Sequence, residues 1–197
     1  MRRILFCNIG WAEKYDGSVS DKPTGDGQYL KEGGVGHEIV NFVPSGDYYY
    51  GFVETKSVQR QARRITIENI DSIAKNSDSI DNVLVVWCAT NKEKGGKFIV
   101  GWYENAIVYR NRQKPPFDSK RYELFVKGIL ETPEYMIKCG KGNAVLIESD
   151  KRDFYVPTAR QDGFGFGQSY LWYPANYDTL EVKEYIEKVL EYIKKNS

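Results

Sequence analysis

The sequence is short of the residues on which most metal and thiol chemistry depends. It has one histidine, His37, and three cysteines, Cys7, Cys88 and Cys139, widely separated and without a CxxC pair. A structural zinc site draws its ligands from clustered Cys and His, so none is expected here, nor any other metal or cofactor. The odd, scattered cysteines also form no disulfide framework. Cys7 and Cys88 fall in apolar strand patterns, where a free thiol acts as a small hydrophobe. Long apolar runs are missing too. "MRRILFCNIG" starts basic, but only a few apolar residues precede Asn8 and Gly10, too few for a signal peptide or a membrane span. The expectation is a cytoplasmic protein with no membrane partner. A surplus of one charge is likewise absent: 28 Lys+Arg face 27 Asp+Glu, for a net charge of +1. Non-specific phosphate binding usually carries a larger basic excess, so a nucleic-acid role has to rest on local patches and specific contacts. Without an internal repeat, low-complexity tract or linker, residues 1–197 read as one domain.

What the chain does have is aromatics. Fifteen Tyr, nine Phe and four Trp make up 14% of it, a bias that favours strands and also suits stacking surfaces. "RRILFCNIG" at 2–10 predicts a first strand buried on both faces. The polar, glycine-rich stretch 10–34 is a long connection of the kind that tends to be functional or partly helical. "GHEIVNFV" at 36–43 is open between helix and strand. "DYYYGFVET" at 47–55 predicts a strand, and so does the alternation Ile65-Thr66-Ile67-Glu68. "VLVVWCATNKEKGGKFIVGWYENAIVYR" at 83–110 predicts a hairpin around an exposed glycine turn. A further strand is expected in "AIVYR", with others at 122–128 and 143–149. The chain closes on its clearest helix, 178–195, where Asp178 precedes Glu181 like a capping box. Val182, Tyr185, Ile186, Val189, Leu190 and Ile193 form its apolar face. The fold class is α+β: a small curved sheet or β-barrel with flanking helices and a C-terminal amphipathic helix.

Few motifs carry chemistry. "EVK" at 181–183 has the residues of a nuclease Glu-x-Lys but lies in the terminal helix rather than on a strand. "GDGQYLKEGGVG" lacks the GK[ST] ending of a phosphate loop, and the glycines of "DGFGFGQ" have no βαβ setting. His37-Glu38 is the one histidine-based catalytic candidate, with Asn41 or Cys7 as neighbours; its plain reading is a hydrogen-bonded histidine near a turn. Positive charge gathers in two runs, Arg60, Arg63 and Arg64, then Arg110, Arg112, Lys114, Lys120 and Arg121. Either is solvated loop charge or a phosphate-contacting rim. Trp102 shares an alternating frame with Phe98 and Val100 and is expected to face the core, while Trp87 lies in a run apolar on both faces. Trp11 and Trp172 sit beside glycines in loops, where aromatics can stack on a base or embrace a methyl group.

At these residues a resemblance enters. "VLVVWCATN…GGKFIVGWYENA" resembles the central hairpin of PUA-like domains of the EVE and YTH branches, and "ILFCNIGW" is similar to their first strand. With "GHEIVNF" and "FGQSYLWYP", the chain looks like the reader modules of modification-dependent, McrB-like restriction proteins. The resemblance implies a non-enzymatic domain that flips a modified base, N6-methyladenine or a modified cytosine, out of double-stranded DNA into an aromatic pocket. It also implies a nuclease or NTPase effector, fused or as a separate subunit. The pocket candidates are Trp11, Trp87, Trp102 and Trp172, with Asn8, Asp16 and Asn105 as polar partners. A small enzyme using His37 and Glu38, and a peptide-binding module, are the alternatives.

Overall fold

A computed structural model describes residues 2–25, 34–55 and 64–197. Its centre is a mixed eight-stranded sheet in the order β2-β3-β6-β5-β4-β1-β8, with β7 paired to β5 off this path. The strands are β1 (Ile4–Ile9), β2 (Pro44–Ser45), β3 (Tyr48–Gly51), β4 (Ser79–Asn91), β5 (Gly96–Gln113), β6 (Tyr135–Gly140), β7 (Ala144–Leu146) and β8 (Leu171–Trp172). Helices α1 (Lys120–Val126), α2 (Ala159–Asp162) and α3 (Leu180–Asn196) accompany it. Among the named strands β1 and β4 form the parallel pair, and the other pairings are antiparallel. The class is α+β, and the sheet stays open rather than closing into a barrel.

The apolar run of β1 is buried on both sides because both sides are covered, as parallel pairing requires. Leu5, Cys7 and Ile9 join a first cluster with Val85, Trp87 and Tyr103, roofed by Ile67, Ile70 and Ala74 from two 3-10 turns. Ile4 and Phe6 join a second with Val86, Trp102 and Trp172, covered by Val182, Val189 and Ile193 of α3. The helix face predicted from its spacing is the one that packs. Its cap lies one residue later than expected: the Thr179 hydroxyl accepts from Val182 N, while Asp178 pairs with Lys183.

The hairpin is the longest feature, and it differs from expectation in two ways. "AIVYR" is not a separate strand; it continues β5, which turns at Asn105 (φ 50°) and changes partner from β7 to β6. A bulge also lies between Trp87 and Cys88, whose partners are Gly101 and Ile99, so Val100 is the extra residue. One inserted residue reverses the alternation. Trp102 therefore faces the second cluster with Ile99, while Val100 lies in the first. At Gly101 a Cβ would sit 2.3 Å from Val145 O and 2.8 Å from the Phe42 ring, so only glycine fits.

Three other strand expectations are overturned in whole or in part. Residues 122–126 fall in α1, with Lys127 and Gly128 just past its end: the Ser119 hydroxyl caps Tyr122 N, and Arg121 and Leu124 bury one side. Ile65 to Glu68 runs into a 3-10 turn, with Ile65 N bonded to Arg110 O and Ile67 N to Ile65 O. Both isoleucines are buried without a strand. In 47–55 only Tyr48–Gly51 pairs, because the Asn41 side chain takes both backbone groups of Phe52 at 2.9 Å. The 36–43 stretch becomes a 3-10 turn at His37–Val40.

Candidate binding site

The carboxyl ends of the parallel strands β1 and β4 meet the start of β5, and polar side chains converge there on the α3 side of the sheet. Asn8 follows Phe6 on that face, and Thr90 and Lys97 are cross-strand partners. Lys97 is 9% exposed. Its ammonium donates to Asn8 Oδ1, approaches Thr90 Oγ1 at 3.3 Å and lies 4.9 Å from the Phe166 ring centre. That ring supplies the electron-rich face that favours a cation. Phe166 is buried 6.2 Å from Trp172, which stacks 4.5 Å from Phe6. An ammonium only donates, so the Asn8 atom facing it is the carbonyl oxygen. The Asn8 amide nitrogen is left with no partner among the described residues.

The loop that follows is fixed by buried groups. Gly10 N donates to Glu38 Oε1 at 2.9 Å, and burial raises that carboxyl above its ordinary value. Arg152 is fully buried; it donates to Ala12 O and Glu13 O at 2.6 Å and to Ile147 O at 2.8 Å. Its guanidinium lies 4.9 Å from the half-buried Trp11 ring. Asp21 accepts from the backbone N–H groups of Glu13, Lys14 and Tyr15, and Trp11 pairs with Thr24. Trp11 packs against the first cluster. It thus shares the strand end with Asn8 but lies toward the opposite face of the sheet.

The expected pocket is therefore divided. Asn8 reaches the buried Trp172 through Lys97 and Phe166, whereas Trp11 lies toward the opposite face of the sheet, against Arg152. Trp87, Trp102 and Trp172 are at most 2% exposed, Trp87 on one face of the sheet and the other two on the opposite face, so as pocket walls all three are corrected to core residues. Asn105 is exposed at the far end of β1, where the neighbouring Glu104 binds Arg2, and Asp16 is an exposed turn residue whose carboxylate accepts from Ser18 N. Neither joins the site.

The expected phosphate rim is reduced in the same way. Arg121 is 2% exposed and donates to His37 O, Asn41 Oδ1 and Tyr50 O, a structural role no phosphate can reach. Arg110 binds Glu68 at 2.6 Å and three backbone carbonyls; Arg112 pairs with Glu134 and Glu54; Lys120 pairs with Glu123. Arg64 and Lys114 are exposed, and Arg60 and Arg63 lie outside the described residues.

Compared with known proteins, the chain matches no family model, no curated protein and no solved structure.

The other polar centre surrounds His37. Its Nε2 lies 3.3 Å from both the backbone N and the Oγ1 of Thr132, and its ring packs 4.9 Å from Phe52. Burial, then the charges of Arg121 and Arg112, lower its pKa to about 4. The Glu38 carboxylate turns to Gly10 instead. Burial raises the Cys7 and Cys88 thiols and pushes Cys139 to about 12, away from the thiolate form that attacks. A cleft of about 200 Å³ opens near the start of β1 between Ile4, Pro174, Val182 and Ile186. Its walls are apolar, and Arg2 and Lys183 at its rim are engaged by Glu104 and Asp178. Among the described residues, no group of His, Cys, Asp and Glu is placed to hold a metal, and no helix is long and apolar enough to cross a membrane.

Lys97, Arg152 and Phe166 were missed by sequence reasoning. Phe166 belonged to a glycine-aromatic segment already singled out, but Lys97 and Arg152 carry no local signal.

Proposed function

We propose that the protein is a non-enzymatic reader of modified double-stranded DNA, which takes an extruded base at the carboxyl end of β1 and β4. The observation that carries this reading is the Asn8 amide, oriented by Lys97 above Phe166 with its NH2 group unspent. A side-chain amide held beside a buried aromatic suits the polar edge of a flat, neutral heterocycle. Stacking contributes roughly 1–3 kcal/mol per base, against a flipping cost of a few kcal/mol that is smallest for a mismatched or damaged base. Burying an added methyl contributes about 0.8 kcal/mol. Discrimination on the methyl alone is therefore modest, and a polar contact such as Asn8 has to supply the rest. Glycines at the neighbouring loop, Gly163 and Gly165, bring Phe166 back beside Pro157 and shape the wall.

The environments of His37 and the three cysteines favour a reader over a nucleophilic enzyme, since none is an activated nucleophile with a base in reach. A nuclease or NTPase effector, fused or separate, would act on what the reader finds. The apolar cleft at the other end of β1 favours one rival, a peptide-binding module, whose affinity would depend little on salt.

The test is a gel-shift titration of matched duplexes carrying unmodified bases, N6-methyladenine, 5-methylcytosine or 5-hydroxymethylcytosine. The wild type is expected to prefer a modified duplex, with affinity falling as salt rises. Asn8→Ala and Trp11→Ala should each weaken the preferred complex about tenfold, within the range of a lost base contact. Unchanged binding by both folded variants rejects this site.

A further inference from the structure

The cleft near the start of β1 lies at the opposite end of that strand from the polar corner, and base reading leaves it unused. Ile4 of β1, Pro174, Ala175 and Tyr177 around the turn after β8, and Val182 and Ile186 of α3 line it. We propose that it is a binding site for a small, neutral, apolar molecule, of the size of an alkylbenzene. This site is separate from the base-reading corner and does not rest on it.

Size sets the first limit. A dry cavity of about 150 Å³ lined by Leu, Ile and Phe takes benzene. At about 200 Å³ the cleft admits a ring with a short alkyl tail. Water gains little against apolar walls, so an apolar guest displaces it favourably.

Polarity sets the second. Pro174 has no N–H; Asn176 N donates to Tyr173 O at 3.2 Å and Tyr177 N to Pro174 O at 3.0 Å. Val182 N goes to Thr179 Oγ1 and Lys183 N to Thr179 O. With these donors spent, a guest that buries a polar edge, a peptide main chain included, would leave that edge unpaired.

Charge sets the third. Arg2, Lys183 and Glu187 stand at the rim. Arg2 pairs with Glu104 and Lys183 with Asp178, while Glu187, one turn beyond Lys183, is exposed. An anionic head would have to displace those carboxylates and then face Glu187. A cationic head would meet Arg2 and Lys183. Neither gains enough from solvent-exposed partners to offset its own desolvation. The guest that complements this rim is uncharged.

The experiment follows the methyl NMR signals of Ile4, Val182 and Ile186. The titrants are ethylbenzene, phenylpropionate and phenethylammonium, which share one ring and differ in charge, with N-acetyl-leucine methylamide as a minimal peptide. Ethylbenzene should shift all three sets saturably with a Kd of about 1 mM or below, within reach of a ligand of its size, and should raise the melting temperature. The charged analogues and the leucine amide should bind at least about tenfold more weakly. Ala175→Phe and Ile186→Phe fill the cleft from two different elements. Either one, once its melting curve shows it folded, should weaken ethylbenzene binding by at least about tenfold. Arg2→Ala should leave it within about twofold.

Absence of a saturable shift at the three residues in the wild type overturns the site, and so does unchanged binding in both folded phenylalanine variants. Tighter binding of phenylpropionate, weakened by Arg2→Ala, overturns the neutral assignment in favour of an anionic guest. Tighter binding of the leucine amide overturns it in favour of a peptide anchor. Duplex binding enters none of these outcomes, so the cleft and the reader stand or fall separately.

Discussion

His37 shows how far a residue's surroundings can move it from its usual chemistry. In water its imidazole titrates near 6.5; buried against Phe52, with Arg121 and Arg112 nearby, it titrates near 4. Between those two values the unfolded chain binds the proton and the folded one does not. Stability from this group is therefore present above pH 6.5 and is lost as the pH falls from there through 4. The shift corresponds to about 3 kcal/mol at full extent. Urea unfolding of wild type and His37→Asn from pH 7 to pH 4 should show the wild type losing roughly that much more. Parallel curves would mean that the histidine is not shielded. Glu38 runs the other way: its raised pKa means that its contribution is greatest at acid pH and declines as pH rises through the folded value. Adjacent in sequence, the two residues tilt the pH profile in opposite directions. Nothing in the letters "HE" signals this; both shifts come first from burial, reinforced at His37 by Arg121 and Arg112, which the fold delivers from elsewhere.

Among the elements, those whose neighbours are close in sequence were legible. The β4–β5 hairpin announced itself through a continuous apolar run, a glycine turn and a return strand, and α3 through a single apolar face, although its cap was expected at Asp178 and falls at Thr179. The misreadings occurred where local preference and tertiary context disagree. Residues 122–128 contain Tyr and Phe and read as strand, but the Ser119 cap and the burial of Arg121 and Leu124 make Lys120–Val126 a helix. β6, "YMIKCG", has no clean alternation, because Tyr135, Met136, Ile137 and Cys139 are all buried. The candidate site divides on the same line. Asn8 and Trp11 could be suspected from their place after a buried strand, whereas Lys97, Arg152 and Phe166 arrive from 89 to 158 positions beyond Asn8.

The loop from Trp11 to Tyr15 is the element most dependent on one distant residue. Arg152 spans three carbonyls on two segments, and its removal leaves those acceptors buried. Arg152→Met should lower stability by about 3 kcal/mol, the scale of losing charge-assisted bonds in a buried setting. Hydrogen exchange would locate the effect, with amides 13–15 losing protection ahead of β4 and β5. Uniform loss across the sheet would show that Arg152 supports the whole core rather than the loop.

On the scale of the whole molecule, the sheet separates two apolar clusters that share the backbone of β1, β4 and β5 but few side chains. Trp87 belongs to one cluster and Trp102 and Trp172 to the other, and all three are at most 2% exposed. Trp11 alone is half-buried, at the end of β1. The chain is therefore labelled by its own indoles. Its intrinsic emission should be dominated by blue-shifted buried tryptophans, with a single component open to acrylamide. Quenching of that component on adding a ligand reports on the strand end, while a red shift of the remainder reports loss of the core. One cuvette thus separates occupation of the site from damage to the fold, without attaching a probe to either.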